Sequence, residues 1–265
     1  MKKFLVIGNP IDHSLSPKLH NHWLKENNID AVYEKLLLTE SDIKEIISEI
    51  RNNKIQGVNV TVPFKISVKP FMDELTPLAK QTGSINTIYK INNKIIGDNT
   101  DVGGFENAIK HIGYNVSGKK AFILGAGGVS PSIISALNKM GVAEIFLSNR
   151  TKEKAENLKK IYPNLKIISW GETPKSDLII NATSLGLKKT DNIPIDYSKV
   201  SSQELFYDVI YNPERTQFLL EAKKLGKKIE NGKIMFIYQA QLAFEIWNNL
   251  KPKIDKKIIN LLANE

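Results

Sequence analysis

The stretch NVTVPFK, residues 59–65, carries three side chains that could bind a polar ligand. Asn59 and Thr61 supply an amide and a hydroxyl, and Lys65 supplies an ammonium donor. Valines alternate with the polar residues, which is the period-two pattern of a strand and predicts Asn59 and Thr61 on one face. Because Pro63 cannot donate to a sheet ladder, we expect the strand to end there and Lys65 to lie in the loop beyond it.

A second candidate site is the glycine-rich stretch LGAGGVS, between an apolar run and a helical pattern. Glycines in such a turn, beside the amides of a helix N-terminus, can bind the pyrophosphate of a dinucleotide. Ser130 stands where G-x-G-x-x-G/A has its third small residue, so a plain tight turn remains an alternative.

The next strand, AEIFLSNR, ends at Arg150. Dinucleotide-binding folds place an acid here for a ribose 2′-hydroxyl, or a basic group for a 2′-phosphate. Arg150 and Lys154 bring positive charge, and no acid stands in the leading positions of NRTKEK. The charges therefore favour NADP over NAD.

Three other polar clusters have simpler interpretations beside the functional ones. In HSLSP, Ser14 and Ser16 lie two apart, and Ser16 followed by Pro17 is typical of a helix N-cap. The stretches GSINT (83–87) and GDNTD (97–101) could be Asx turns. Their occurrence together in one chain favours a shared site.

Composition excludes several classes of protein. The formal charge of +9 comes from lysines spread along the chain, with only three arginines, so we predict no nucleic-acid partner. No apolar run is long enough for a membrane span, and the absence of cysteine excludes disulfides and thiolate chemistry. The histidines lack the spacing of metal ligands, so no metal is predicted. The N-terminal apolar run is too short for a signal peptide, which predicts a cytoplasmic protein.

The elements that must position these residues form two α/β series. FLVIG, AVYEKLLL and GVNVTV (57–62) read as strands with helices between them, which predicts a mostly parallel sheet. A second alternation of strands and helices follows GYNVSGKK. We predict a substrate-binding domain at residues 1–100, joined by C-terminal helices at 236–265, and a dinucleotide-binding Rossmann domain at 101–235. One helix over 234–250 and a short helix after Pro252 should pack back on the N-terminal domain.

Eight motifs, in order and at these spacings, resemble the shikimate/quinate dehydrogenase family, and more specifically shikimate dehydrogenase. They are GNPIDHSLSP, NVTVPFK, GSINT, GDNTD, GAGG, NRT, NATSLG and NGKIMFIYQ, and the resemblance extends over nearly the whole chain. The resemblance implies reduction of 3-dehydroshikimate to shikimate with NADPH, in aromatic amino-acid (chorismate) biosynthesis, with the substrate in the cleft between two domains.

The resemblance also implies a role for each matching residue. Lys65 and Asp101 would form the catalytic pair, the only suitable polar pair in a chain without cysteine or a convincing histidine. Ser14 and Ser16 would bind the substrate carboxylate. The ring hydroxyls would be bound by Asn59, Thr61, Asn86 and Gln239, and Tyr211 would lie close to the nicotinamide and the substrate. The cofactor would be bound by Gly125, Ala126, Gly127, Gly128, Asn149, Arg150, Thr151, Lys154, Thr183 and Gly232.

Three residues depart from the usual family pattern. Ser130 and Pro131 stand where small, alanine-like residues are usual, which puts the local helix geometry in doubt, and Phe236 replaces a common leucine. A broader quinate/shikimate dehydrogenase and a non-catalytic dinucleotide-binding regulator of the same fold are the alternatives. Arg150 argues against NAD-preferring quinate enzymes, and the presence of both Lys65 and Asp101 argues against a regulator. We expect a monomer or homodimer with a small-molecule substrate and no membrane partner.

Overall fold

A computed structural model describes residues 1–199 and 204–262. The chain forms two compact units, one comprising Met1–Gly104 with the segment from Ile237 onward, the other Phe105–Phe236. The chain leaves the first unit within helix α4 (Asp101–His111) and re-enters it within helix α8 (Lys233–Asn248). The predicted assignment of substrate to the first of these segments and NADP to the second stays a prediction.

The first unit is built on a six-stranded sheet. Its strands are β1 (Lys2–Gly8), β2 (Ala31–Leu37), β3 (Gly57–Val60), β4 (Glu74–Leu75), β5 (Thr87–Ile91) and β6 (Lys94–Asp98), in the order β2-β1-β3-β5-β6-β4. Its remaining helices are α1 (Ser16–Glu26), α2 (Ile43–Arg51), α3 (Pro77–Thr82) and α9 (Lys256–Leu261).

Strand β3, which leads to Lys65, lies inside this sheet. It pairs in parallel with β1 and antiparallel with β5, and all four of its residues are buried. The strand ends at Val60, two residues before the predicted end, although the Thr61 amide still donates to the Ile7 carbonyl at 2.9 Å. Asn59 is therefore a buried polar residue in a central strand and does not lie on a solvent-exposed face of the sheet.

Antiparallel pairing enters the sheet through a hairpin of β5 and β6 that the sequence analysis did not predict. Its two-residue turn, Asn92-Asn93, has φ values of 48° and 63°. Two positive φ values in a two-residue loop are typical of the turn that matches strand twist, and asparagine tolerates them. The hairpin places the ends of β5 and β6, which carry GSINT and GDNTD, beside the end of β3.

The second unit is built on a six-stranded, entirely parallel sheet. Its strands are β7 (Lys120–Leu124), β8 (Glu144–Ser148), β9 (Lys166–Ile167), β10 (Leu178–Asn181), β11 (Leu205–Asp208) and β12 (Lys228–Glu230), in the order β12-β11-β10-β7-β8-β9. Its helices α5 (Ser130–Lys139), α6 (Lys152–Ile161) and α7 (Gln217–Lys224) follow strands. β7 has β10 on one side and β8 on the other, which is the switch point where such sheets bind ligands.

The C-terminal helix packs on the first unit, as predicted. The Trp247 ring of α8 stacks on Phe4 with centroids 5.1 Å apart, and a Cβ built on Gly57 would lie 2.3 Å from Trp247 Nε1. Gly57 thus has to be glycine for the indole to sit against β3. The predicted two-domain α/β class with a Rossmann-type sheet is confirmed.

Within residues 1–199 and 204–262, no helix combines the length and apolar character needed to cross a membrane. In the same residues, no three His, Asp or Glu side chains are grouped as a metal site would require.

Candidate active site

The two predicted catalytic side chains are in direct contact. Lys65 Nζ donates to Asp101 Oδ2 at 2.5 Å, and the two side chains are only 13% and 6% exposed. Lys65 lies in the turn that follows β3. The backbone carbonyl of Lys65 accepts a hydrogen bond from the Ile85 amide at 2.8 Å. This backbone bond holds the Lys65 loop against the GSINT segment.

Asp101 is the first residue of α4, where the helix dipole favours negative charge. Its second oxygen, Oδ1, accepts from Asn86 Nδ2 at 2.9 Å. The preceding residues of GDNTD hold this end of the helix: Asn99 Oδ1 accepts from the Val102 amide at 3.2 Å, and the Thr100 amide donates to Asn86 Oδ1 at 2.7 Å. The GSINT and GDNTD segments are thus joined by side-chain hydrogen bonds at the edge of the sheet.

Asn59 and Gln239 join the same network. Asn59 Nδ2 donates to the Asn86 carbonyl at 3.1 Å and to Thr87 Oγ1 at 3.2 Å, while Asn59 Oδ1 accepts from the Tyr33 hydroxyl at 2.7 Å. Gln239 of α8 accepts from Asn86 Nδ2 at 3.4 Å through Oε1. Five of the predicted residues are therefore linked: Lys65, Asp101, Asn86, Asn59 and Gln239.

The predicted residues Ser14, Ser16 and Thr61 contribute no side-chain hydrogen bond to this network within the part of the chain that the structure describes. Ser16 is buried, and Ser14 Oγ accepts from the Ser16 amide at 3.3 Å. The interpretation of Ser16 as a helix cap is wrong. The N-cap is Leu15, with no side-chain cap, because the chain has already turned at Leu15 and makes Ser16 the first helical residue.

Two glycines of the turn after β7 differ in their surroundings. Gly125 has φ +106°, and a Cβ there would lie 3.0 Å from the Ala182 backbone. Gly127 is exposed, and a Cβ built on it would meet nothing within 4 Å. The turn therefore leaves open space in front of the start of α5, which suits a pyrophosphate.

The loop after β8 is tied to this turn by a predicted residue. Asn149 Oδ1 accepts from the Ala126 amide at 3.0 Å, and its Nδ2 donates to the Thr151 carbonyl at 2.8 Å. Arg150 and Lys154 are both exposed, and neither pairs with a carboxylate in the described ranges. Two unpaired positive charges beside the turn fit the 2′-phosphate of NADP.

Thr183 lies in a buried polar cluster at the ends of β10 and β11. Its hydroxyl donates to Asn181 Oδ1 at 2.7 Å, and Asn181 Nδ2 donates to Asp208 Oδ1 at 3.0 Å. Asp208 also accepts from the Thr216 hydroxyl at 2.6 Å. Burial raises the pKa of Asp208 to about 6, although these hydrogen bonds oppose the shift.

Tyr211 and Gly232, also predicted, lie close together in the second unit. The Gly232 amide donates to the Ile210 carbonyl at 3.1 Å, and a Cβ on Gly232 would lie 2.0 Å from the Val209 carbonyl oxygen. The Tyr211 ring stacks on Phe236 at 4.6 Å. Gly232 is therefore needed for close backbone packing beside Tyr211.

Family models and known proteins match both units. A model described as "Shikimate dehydrogenase substrate binding domain" matches residues 6–88, and one described as "Shikimate / quinate 5-dehydrogenase" matches residues 106–191. A protein of Pelagibacter ubique (strain HTCC1062), named shikimate dehydrogenase (NADP(+)), is 58% identical over 261 residues, 98% of each chain. The chain belongs to the shikimate dehydrogenase family. The predicted resemblance is confirmed.

Solved members of the shikimate dehydrogenase family share the whole fold. The enzyme from Aquifex aeolicus is 33% identical, with a TM-score of 0.90 over 100% of this chain and 98% of its own. The enzyme from Thermus thermophilus, solved in complex with NADP(H) and shikimate, is 30% identical, with a TM-score of 0.89 over 99% of this chain and 97% of its own.

In this member of the shikimate dehydrogenase family, the unusual Ser130 closes the glycine-rich turn. It is fully buried, and its hydroxyl donates to the Gly125 carbonyl at 2.8 Å and accepts from the Gly127 amide at 3.1 Å. The expectation that Ser130 puts the helix geometry in doubt is wrong, because the hydroxyl crosslinks the turn. Pro131 lies in the first turn of α5, where its missing amide is not needed.

We predict that Ser130→Ala weakens binding of NADP and NAD about three- to tenfold and to the same extent. Loss of the buried hydroxyl would loosen the turn that we expect to bind the pyrophosphate, which both nucleotides share. Fluorescence titration with each nucleotide measures this. Ser135→Ala, which removes another buried hydroxyl of α5, is the control and should leave both affinities unchanged. Weakening of NADP alone would contradict the prediction.

Sequence reasoning missed three residues of these sites. Tyr33 stands in an alternating strand with nothing to mark its hydroxyl, and Asp208 is one acid among several near the end of an apolar run. Thr87 belongs to GSINT, but in that motif only its neighbour Asn86 was predicted to bind the substrate. The available signal for Asp208 was an acid directly after the apolar run LFY.

Proposed function

We propose that the chain is an NADP-dependent shikimate dehydrogenase that catalyses the reversible reduction of 3-dehydroshikimate to shikimate in aromatic amino-acid biosynthesis. The observation that carries this proposal is the Lys65–Asp101 pair, bonded at 2.5 Å and nearly excluded from water. Membership of the family supports the enzyme class, the substrate and the cofactor.

Lys65 acts on the oxygen that changes during the reaction. NADPH, when bound, supplies the hydride. The Lys65 ammonium has three hydrogens. One is used in the hydrogen bond to Asp101, so two remain to hydrogen-bond the substrate oxygen. As the carbonyl is reduced, its oxygen gains negative charge and binds the ammonium more strongly, which lowers the barrier, and a proton from the Lys65 ammonium completes the hydroxyl. Asp101 holds the ammonium in place through the reaction.

The other predicted substrate residues orient the ring. A carboxylated, polyhydroxylated ring requires neutral donors and acceptors, which Ser, Thr, Asn and Gln side chains provide. We assign the carboxylate to Ser14 and Ser16, and the ring hydroxyls to Asn59, Thr61, Asn86 and Gln239. Tyr211 would lie close to the substrate.

The cofactor assignment rests on the turn after β7 and the loop after β8. The pyrophosphate would lie against Gly125, Ala126, Gly127 and Gly128, and Asn149, Arg150, Thr151 and Lys154 would hold the 2′-phosphate. Thr183 would lie near the cofactor ribose, and Gly232 near the nicotinamide and the substrate. The fit is supported by the open space at Gly127 and by the unpaired charges of Arg150 and Lys154.

The proposal includes a cytoplasmic location and a monomeric or homodimeric state, which stay predictions. A broader quinate/shikimate dehydrogenase remains the second candidate, because one matching family model covers both activities by its description.

Loss of NADPH absorbance with 3-dehydroshikimate tests the proposal, repeated with dehydroquinate and with NADH. Rapid oxidation of NADPH by dehydroshikimate alone is the expected result. Comparable rates with dehydroquinate would favour the broader enzyme, and no turnover with either substrate would favour a regulator.

A further inference from the structure

The Tyr33 hydroxyl lies deep inside the first unit, where it donates to Asn59 Oδ1 at 2.7 Å. Tyr33 belongs to β2 and is 1% exposed, while Asn59 is 6% exposed. A buried side-chain amide with fixed partners on every side cannot rotate freely. The partners of Asn59 therefore decide which atom it can offer to a ligand.

The orientation of the Asn59 amide follows from a backbone group. The Asn86 carbonyl can only accept, and it lies 3.1 Å from one terminal atom of Asn59. That atom must be the nitrogen, so the oxygen faces Tyr33. Tyr33 must then be the donor, because the Asn59 oxygen has no hydrogen to give.

The same reasoning orients the next amide. The Thr100 amide can only donate, and it lies 2.7 Å from Oδ1 of Asn86, so Asn86 Nδ2 faces Asp101. Between the two amides, Thr87 accepts from Asn59 at 3.2 Å and donates to Asn86 Oδ1 at 3.1 Å. Each side chain therefore donates a hydrogen bond to the next one in the series. The series runs from Tyr33 through Asn59, Thr87 and Asn86 to the carboxylate of Asp101.

The Tyr33 ring is itself held in place. The His20 ring stacks on it with centroids 4.2 Å apart and planes 8° apart, and Trp247 packs against His20 at 5.6 Å between centroids. Burial lowers the pKa of His20 to about 3, so the imidazole is neutral above that pH and brings no charge to the stack. The hydroxyl is therefore presented to Asn59 at a fixed position.

We infer that Tyr33 is a positioning residue for the substrate: it fixes the Asn59 amide so that Asn59 offers a bound ring only an acceptor lone pair. Both hydrogens of Nδ2 are used within the protein, and Oδ1 keeps one lone pair beyond the bond from Tyr33. At this position the site accepts a hydroxyl, which can donate, and disfavours a carbonyl or ether oxygen, which cannot. This inference rests on the proposed function.

The test is Tyr33→Phe, which keeps the ring and removes the donor. We expect the KM for shikimate to rise about three- to tenfold, because the Asn59 oxygen loses its partner and the amide can turn, while kcat stays within about twofold. The dissociation constant of shikimate, measured by calorimetry, should rise by the same factor, and that of NADP should not change.

A double-mutant cycle shows whether Tyr33 acts through Asn59. In an Asn59→Ala background, Tyr33→Phe should have no further effect on KM. Tyr114→Phe is the matched control, because it also removes a tyrosine hydroxyl, one that donates to the Asp177 carbonyl at 2.7 Å in the second unit. The control should leave the shikimate KM unchanged even if it lowers Tm.

An unchanged KM in Tyr33→Phe, or an equal rise in the Asn59→Ala background, overturns the inference. If Tyr33→Phe does not fold, Thr87→Val decides, since it removes the next hydroxyl in the series and should raise the shikimate KM to a similar extent; no rise would overturn the role. If the protein without substitutions binds shikimate but does not turn it over, that result counts against the proposed function alone. Comparing the calorimetric dissociation constants of shikimate for this protein and for Tyr33→Phe still tests the role of Tyr33.

Discussion

Lys65→Met is expected to lower kcat by about 10² to 10⁴, the usual contribution of a positioned proton donor. Methionine keeps the length of the largely buried stem and removes the ammonium that would bind the developing oxygen charge. The loss should therefore fall on kcat, measured from NADPH absorbance, and the NADP dissociation constant should stay unchanged. Lys69→Ala, which removes an exposed lysine four residues along, is the control.

Asp101→Asn extends this test because it keeps the size of the side chain and removes its charge. If the two residues act as one unit, the double variant should be scarcely slower than the slower single variant. Losses that multiply would mean separate roles. A Lys65→Met enzyme with normal kcat would contradict the mechanism.

Arg150→Ala is expected to weaken NADP binding about tenfold to a hundredfold, because a hydrogen bond to a charged group contributes about 1.5 to 3 kcal/mol. NAD lacks the 2′-phosphate, so its affinity should change by less than about twofold on the same argument. Fluorescence titration with both nucleotides gives the ratio of affinities directly.

The control for Arg150 is Lys159→Ala, at the far end of α6. It removes the same charge from the same unit, so it shows how much of the effect comes from the general positive field. An unchanged ratio of NADP to NAD affinity in Arg150→Ala would contradict the assignment of the 2′-phosphate.

Much of this architecture could be predicted because the relevant signals are local. The period-two run before Pro63 marks β3 and the start of the Lys65 loop, and the glycine turn between β7 and α5 is readable from its residue types. The parallel sheet of the second unit follows from the alternation of strands and helices.

Other features were not predictable because they depend on contacts between residues distant in sequence. The bond from Tyr33 to Asn59 spans 26 positions and that from Asn59 to Thr87 spans 28, and neither has a local pattern. Ser130 was misjudged because its effect depends on the direction of its hydroxyl. The Asn-Asn hairpin was readable from turn chemistry, and overlooking it left out the one antiparallel strand, β5, of a first sheet that is otherwise parallel as expected.

The discontinuity of the first unit has a consequence for synthesis on the ribosome. Phe105–Phe236 is continuous, so the parallel sheet can form as soon as that segment has emerged. The older, N-terminal part of the chain must wait, because Trp247, which covers Phe4, Gly57 and His20, is made later. The unit that contains the N-terminal segment is thus the last to complete its core, and its aromatic face stays uncovered until Trp247 has been made.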